Sequence, residues 1–176
     1  MIDPIDGTKS FICGMPTFGT LIALVEEDSP IFGIVEMPAL KERWIGGRGL
    51  ATTYNGQACR TAEHAQLAGA TLLSTSIDMF KGDDLVRFNA LSEKVRLRRF
   101  GGDCYAYGLL ASGFIDLVVE ADMAPYDYLP LVPVVENAGG IMSDWSGQAL
   151  NIHSKGTVVA AATAALHEQA LAHLSG

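Results

Sequence analysis

The chain has 176 residues, 49% of them apolar and 18% charged, with a net charge of −8. Those values support one packed domain spanning 1–176 and exclude a disordered chain. They also argue against nucleic acid or an anionic membrane as partner, and no apolar run approaches the ~18 residues that cross a bilayer.

The chain opens on Met1-Ile2-Asp3-Pro4-Ile5-Asp6-Gly7-Thr8. Pro4 fixes its own φ and biases Asp3 away from the helical region, while Gly7 allows a sharp turn and close approach to a ligand. Asp3 and Asp6 can then aim two carboxylates and a main-chain carbonyl at one point. Such an all-oxygen set suits a hard cation such as Mg²⁺. The simpler alternative is an Asp-rich turn closed by an ordinary side-chain hydrogen bond. The acidic start has no basic region and does not read as a secretory signal.

Lys9–Gly14 is expected to be a short helical or irregular turn. Phe18–Val25 and Ile31–Met37 read as strands joined by the turn Glu26–Pro30, forming an antiparallel hairpin. Glu42–Gly46 is a third strand, and Asn55-Gly56 marks a further hairpin. The first sixty residues are therefore expected to be an antiparallel meander.

The pattern then changes. Glu63–Ala68 is expected as a helical turn, Thr71–Ile77 as a strand, and a helix starts at Asp83-Asp84 with Asp83 as its cap. Lys94–Phe100 alternates like a strand, with Lys94, Arg96 and Arg98 on one solvated face. Gly101-Gly102 end it and Asp103 is expected to cap a helix to Gly113. Phe114–Glu120 is a strand, and Tyr126–Ala138 one helix stopped by Gly139-Gly140. In that helix Pro130 fits the first turn, whereas Pro133 costs a hydrogen bond or a kink. Ile141–Trp145 and Thr157–Ala161 are strands and Ala164–Leu174 is the closing helix. The predicted class is α+β. Cys13, Cys59 and Cys104 lack any C-x-x-C pattern and read as reduced thiols of a cytoplasmic protein.

A metal site at Asp3 and Asp6 needs ligands from elsewhere. Asp127 begins an apolar helix, where it serves equally as a cap or a ligand. Gly101-Gly102-Asp103 is either a simple strand-to-helix turn or a place where backbone N–H groups face an anion. Glu120 ends a strand seven residues before Asp127 and either enters the same cleft or is solvated.

Asp3-Pro4-Ile5-Asp6-Gly7-Thr8, followed by Phe11 and Pro16, resembles the first signature of the inositol monophosphatase superfamily. Asp127–Gly140 resembles its second, and the intervening hairpins, Tyr54-Asn55-Gly56, the Gly-Gly turn and Glu120 fall in the expected order. Pro125-Tyr126-Asp127-Tyr128 together with Arg99–Tyr105 is similar to the histidinol-phosphate phosphatase branch. The resemblance implies a layered α/β sandwich of the sugar-phosphatase type, with largely antiparallel mixed sheets and helices. It implies Mg²⁺ (or Mn²⁺) bound by Asp3, the Ile5 carbonyl, Asp6 and Asp127, with Asp3 bridging two ions. It implies phosphate held by the N–H groups of Gly7 and Thr8, with the Thr8 hydroxyl orienting the attacking water. Gly101, Gly102, Asp103 and Glu120 would bind the substrate. Asp103 and Glu120 would pair with the ammonium or imidazole of histidinol phosphate, and Tyr126 or Tyr128 would line the pocket. A homodimer is implied as well.

Family members carry an N-terminal segment before the first signature, which supplies a Glu ligand and an acidic partner for the threonine. Here the sequence begins on the motif, so a weakened metal site and exposed apolar core are expected. Three readings follow: a histidinol-phosphate phosphatase, a phosphatase for inositol phosphate or another small phosphomonoester, and a non-catalytic binding subunit.

Overall fold

Residues 1–175 are described by a computed structural model. Six strands follow one another in chain order: β1 (Ile2–Asp6), β2 (Gly19–Glu26), β3 (Ser29–Met37), β4 (Glu42–Gly47), β5 (Leu50–Tyr54) and β6 (Gln57–Ala58). Each pairs antiparallel with the next, giving the expected meander as one sheet. Asn55 (φ 48°) and Gly56 (φ 79°) both take left-handed backbone, which is what a two-residue hairpin turn requires. The acidic motif itself is an edge strand of this sheet, with Asp3 opposite Leu21 and Asp6 opposite Gly19. The register shift between Asp3 and Asp6 bends β1 where its carboxylates must converge. A short helix, α1 (Thr8–Ile12), follows directly.

The second sheet has the order β10-β11-β9-β7-β8, built from β7 (Thr71–Ser74), β8 (Leu97–Phe100), β9 (Leu117–Glu120), β10 (Ile141–Ser143) and β11 (Val158–Ala161). β7 is parallel to β8 and β9, and the remaining pairs are antiparallel. Every residue of β9 and β11 is buried, because both faces of this sheet are covered. Leu73, Val118, Val158 and Ala160 face one core, together with Leu21, Val35 and Trp44 of the first sheet. Leu72, Leu117, Val119 and Val159 face a second core. The first core holds α3 (Asp103–Ala111), α4 (Pro125–Tyr128) and α5 (Leu131–Glu136) between the sheets. The second is closed by α2 (Asp83–Ser92) and α6 (Ala164–Leu174). The result is an α+β sandwich of sheet, helices, sheet and helices, and among the described residues no helix is long and apolar enough to cross a membrane.

The outer face of the first sheet carries a row across neighbouring strands: Ile2 opposite Ile22, Ile22 opposite Ile34, and Ile34 opposite Ile45. Ile2 is 63% exposed and Leu24, on the same face, 57%. A solvated antiparallel face normally alternates to polar residues, so this one is shaped for burial.

Several expectations are corrected. The single helix over Tyr126–Ala138 is two, because Pro130 lacks an N–H and its ring crowds the carbonyl four residues back. Pro133, expected to be the costly one, lies in the first turn of α5, where its missing N–H is not needed. The helical turn at Glu63–Ala68 reduces to a 3₁₀ turn at Leu67–Gly69. Asp83 is the first residue of α2 and not its cap, which is Gly82. The strand expected over Lys94–Phe100 shortens to β8, while Lys94, Arg96 and Arg98 are exposed as expected; Arg96 also donates to the Gly69 carbonyl and Thr71 Oγ1, and Arg98 to Ser92 Oγ.

Gly33 and Gly46 set how closely α5 and the residue before it approach the first sheet. A Cβ on Gly33 would lie 2.0 Å from the Pro130 carbonyl oxygen, and one on Gly46 2.5 Å from that of Pro133. Both neighbours are backbone, so no rotamer change relieves the clash. Gly33→Ala is expected to destabilise by about 3 kcal/mol, the upper range of core overpacking. Thermal unfolding should show a fall of about 10 °C; a shift under about 2 °C would disprove this account of the helix–sheet approach.

Candidate active site

Asp3, Asp6 and Asp127 come from β1 and α4, which the fold sets side by side. Each offers one carboxylate oxygen, and these oxygens lie within 4.8 Å of one another. The acids are held from behind by backbone N–H groups. Ile5 N–H donates to Asp3 Oδ1 (3.0 Å), Cys104 N–H to Asp6 Oδ2 (2.8 Å) and Ala124 N–H to Asp127 Oδ2 (2.8 Å). Each acid therefore keeps a second oxygen for the common point. The Thr8 hydroxyl donates to the Ile5 carbonyl at 3.1 Å, which holds both groups at the same edge. Gly7 takes φ 75°, and a Cβ there would press on the Asp103 side chain at 3.1 Å.

Two cavities meet at these acids. An open cleft of about 490 Å³ is lined by the Ile2–Thr8 segment with Tyr126 and Asp127. A smaller cavity of about 110 Å³ is also lined by Asp6 and Asp127, and adds Asp103, Glu120 and Asp122. Thr75, Tyr107, Met79 and Met123 complete much of its wall, and none of its lining residues is Lys, Arg or His. Asp6 and Asp127 thus stand in the wall between the two.

Glu120 is 2% exposed and accepts from the Thr75 N–H at 2.9 Å and the Thr75 hydroxyl, with the Tyr107 hydroxyl at 3.4 Å. Asp103 begins α3 with left-handed φ (45°), and its expected capping role is not observed: Gly102 is the cap. Asp103 Oδ2 instead accepts from the Ser10 hydroxyl at 2.6 Å, tying α1 to the start of α3. Gly101 donates its N–H to the carbonyls of Ser74 and Thr75, and neither Gly101 nor Gly102 lines a cavity. Tyr126 is 49% exposed at the open cleft, whereas Tyr128 is buried with its hydroxyl on the Asn151 carbonyl at 2.8 Å.

Sequence reasoning missed Thr75, Met79, Tyr107, Asp122 and Met123. Asp122 carried only the signal of an acid two residues beyond Glu120, past the end of β9. The others come from separate segments with no local pattern.

Burial makes several of these carboxyls harder to ionise. Burial is the main cause for Asp6, whose carboxyl is pushed up, with Asp103 and Asp3 adding repulsion and Cys104 opposing. Burial likewise lifts Asp127 to about 6 and Glu120 to about 8, against hydrogen bonds from Ala124 and Thr75 respectively. Raised folded-state values mean that the native state holds more protons than the unfolded chain above about pH 4. Stability of the metal-free protein therefore falls as pH rises towards about 8. Melting of the metal-free chain from about pH 5 to about pH 8 should show this decline, and Glu120→Gln should remove its upper part. A midpoint that rises over that window would contradict the site's electrostatics.

The inositol monophosphatase family description matches residues 1–176. The chain is 46% identical to the chloroplastic bifunctional phosphatase IMPL2 of Arabidopsis thaliana, over 99% of this chain and 52% of that protein. It is 35% identical to a histidinol-phosphatase of Chlorobaculum parvum, over 91% of this chain and 62% of that one. The chain thus spans about half to two thirds of these curated relatives. A solved structure of an inositol monophosphatase from Zymomonas mobilis superposes with a TM-score of 0.97 at 46% identity, over 99% of this chain and 69% of that one. With the acid cluster in place and the whole sequence matched, the chain belongs to the inositol monophosphatase family.

Proposed function

We propose that this chain carries the metal- and substrate-binding acids of a metal-dependent phosphomonoesterase for small cationic phosphate esters, with histidinol phosphate as preferred substrate. The observation that carries this reading is the shared wall. Asp6 and Asp127 face an acid-lined cleft on one side and, on the other, a cavity whose charged lining is wholly acidic. Carboxylates accept from polyol hydroxyls as well, so the preference rests on charge: an ammonium or imidazolium is matched by Asp103, Glu120 and Asp122, which no cationic side chain of the lining offsets. The histidinol-phosphatase of Chlorobaculum parvum points the same way. A second reading, inositol phosphate, is supported by the Zymomonas mobilis structure.

The donor set fits a hard divalent cation. It is all oxygen, it is convergent, and its Asp6 and Asp127 carboxyls are raised by burial and by repulsion from neighbouring acids, which a cation would offset. Asp3, Asp6, Asp127 and the Ile5 carbonyl would hold Mg²⁺ or Mn²⁺. When bound, such ions polarise phosphoryl oxygens and lower the pKa of a bound water. The chain's own residues do the rest. The N–H groups of Gly7 and Thr8 bind phosphate oxygens, and the left-handed turn at Gly7 permits that close approach. The Thr8 hydroxyl, already oriented by the Ile5 carbonyl, accepts from the attacking water and fixes its direction. Glu120 and Asp103 orient the organic part of the ester, so that its bridging oxygen faces the shared acids; Gly101 and Gly102 shape the turn that presents Asp103.

The single domain over 1–176 and the homodimer belong to this proposal, with light scattering as the check on the latter. The cytoplasmic placement expected from the unpaired thiols is a proposal too, and the chloroplast designation of the Arabidopsis relative points to a second compartment.

Phosphate release from L-histidinol phosphate with Mg²⁺ tests the reading, with inositol-1-phosphate alongside. Release should prefer histidinol phosphate and fall about a hundredfold or more in Asp3→Asn or Asp127→Asn, the scale of several kcal/mol of lost charge stabilisation. Preference for inositol-1-phosphate would favour the second reading. No release from either, with Mg²⁺ binding retained, would favour a binding subunit.

A further inference from the structure

Asp122 has no part in the metal cluster, yet it lines the smaller cavity and sits in an unusual backbone state. Its φ is 59°, left-handed, a conformation that Asp tolerates better than most side chains. It follows Glu120 by two residues, just beyond the end of β9, and both line the cavity, Glu120 deep and Asp122 at the rim. Across the rim Lys81 Nζ contacts Asp122 Oδ2 at 2.9 Å. Lys81 lies between the 3₁₀ turn Ile77–Met79 and α2, and Met79 of that turn lines the cavity too. The pair therefore joins the two sides of the mouth.

Both partners are largely exposed, 75% for Lys81 and 67% for Asp122. An ion pair so exposed contributes about 0–1 kcal/mol, so another ammonium can replace Lys81 at little cost. Inside the rim the charged groups are all carboxylates. A primary ammonium arriving there meets Asp122 first and, beyond it, Glu120.

We propose that Asp122 takes the ammonium group of the substrate in exchange for Lys81, so that this rim pair selects cationic phosphate esters. The inference rests on the reading of a cationic substrate given above. Lys81 acts as the internal competitor: it occupies Asp122 while the cavity is empty and swings to solvent when a ligand cation enters. Substitutions of the two partners therefore have opposite signs; a general field effect would share those signs but would act alike from any acid of the chain, so a remote acid is the control. Removing Asp122 deletes the acceptor, whereas removing the Lys81 charge frees it.

The test is calorimetric binding of L-histidinol, which carries the ammonium and imidazole but no phosphate. Wild type is compared with Asp122→Asn, Lys81→Met and Asp28→Asn. Asn keeps the left-handed backbone accessible, and Asp28, on the β2–β3 turn outside the cavity lining, controls for a general loss of negative charge. Asp122→Asn should weaken binding about fivefold, Lys81→Met should tighten it, and Asp28→Asn should leave it unchanged. Binding that shifts the same way in both rim variants overturns the proposal, as does equal weakening by Asp28→Asn or no binding to wild type. Failure of the phosphatase reading shows separately, as absent Asp3-dependent phosphate release while the opposite-signed binding pattern persists.

Discussion

Three carboxylates with oxygens within 4.8 Å of one another constrain everything around them. At an effective dielectric constant near 20, two charges at that separation repel by about 3 kcal/mol. A hydrogen bond to a charged group returns about 1.5–3 kcal/mol. One backbone N–H on each acid therefore comes close to balancing one repulsion, and burial is the main reason that the Asp6 and Asp127 carboxyls are raised, with repulsion adding to it. The site is poised for a cation because the chain fixes the acids without neutralising them.

Fixing them is a task for the whole fold, since the three N–H donors lie on different elements. Ile5 belongs to β1, Cys104 to the start of α3, and Ala124 to the residue before α4. The Cys104–Asp6 bond spans 98 residues and ties the edge of the first sheet to a helix packed between the sheets. That helix layer can lie against the first sheet only because Gly33 and Gly46 have no side chain. On its other side it rests on a sheet whose strands are buried on both faces. Apolar burial across two cores thus supports a polar cluster that contributes repulsion of its own.

Much of this was legible in the sequence because it is encoded locally. Asp3-Pro4-Ile5-Asp6-Gly7-Thr8 states its acids and its turn within eight residues, and Asn55-Gly56 and Gly139-Gly140 state theirs within two. The strand character of the motif was not visible, since Pro4 and two aspartates are poor strand formers and only pairing with β2 makes them one. The break at Pro130 was misplaced because two prolines three apart each offer a reason to interrupt a helix. Which one does so depends on where the helix axis must turn over Gly33. The smaller cavity was the least legible part. Thr75, Tyr107 and Met123 belong to separate segments, and only the stacking of β7, β9 and α3 brings them to Glu120.

The shared wall separates two kinds of change. Asp6 and Asp127 belong to both cavities, so on the proposed reading altering either would disturb metal and substrate together. Glu120 is buried and coupled by charge to Asp6, so a change there also reaches the metal side. Asp103 is partly committed, since Ser10 holds one of its oxygens and Gly7 packs on its side chain. Substituting it moves the turn that faces the phosphate. Asp122 is the exception: its charge lies at the rim, its ion-pair partner is a solvent-exposed lysine, and its backbone state is one that Asn or Gly also accepts. On the proposed reading, substrate charge would be read there without disturbing the acids proposed to hold the cation, which makes the rim the mechanically independent part of this site.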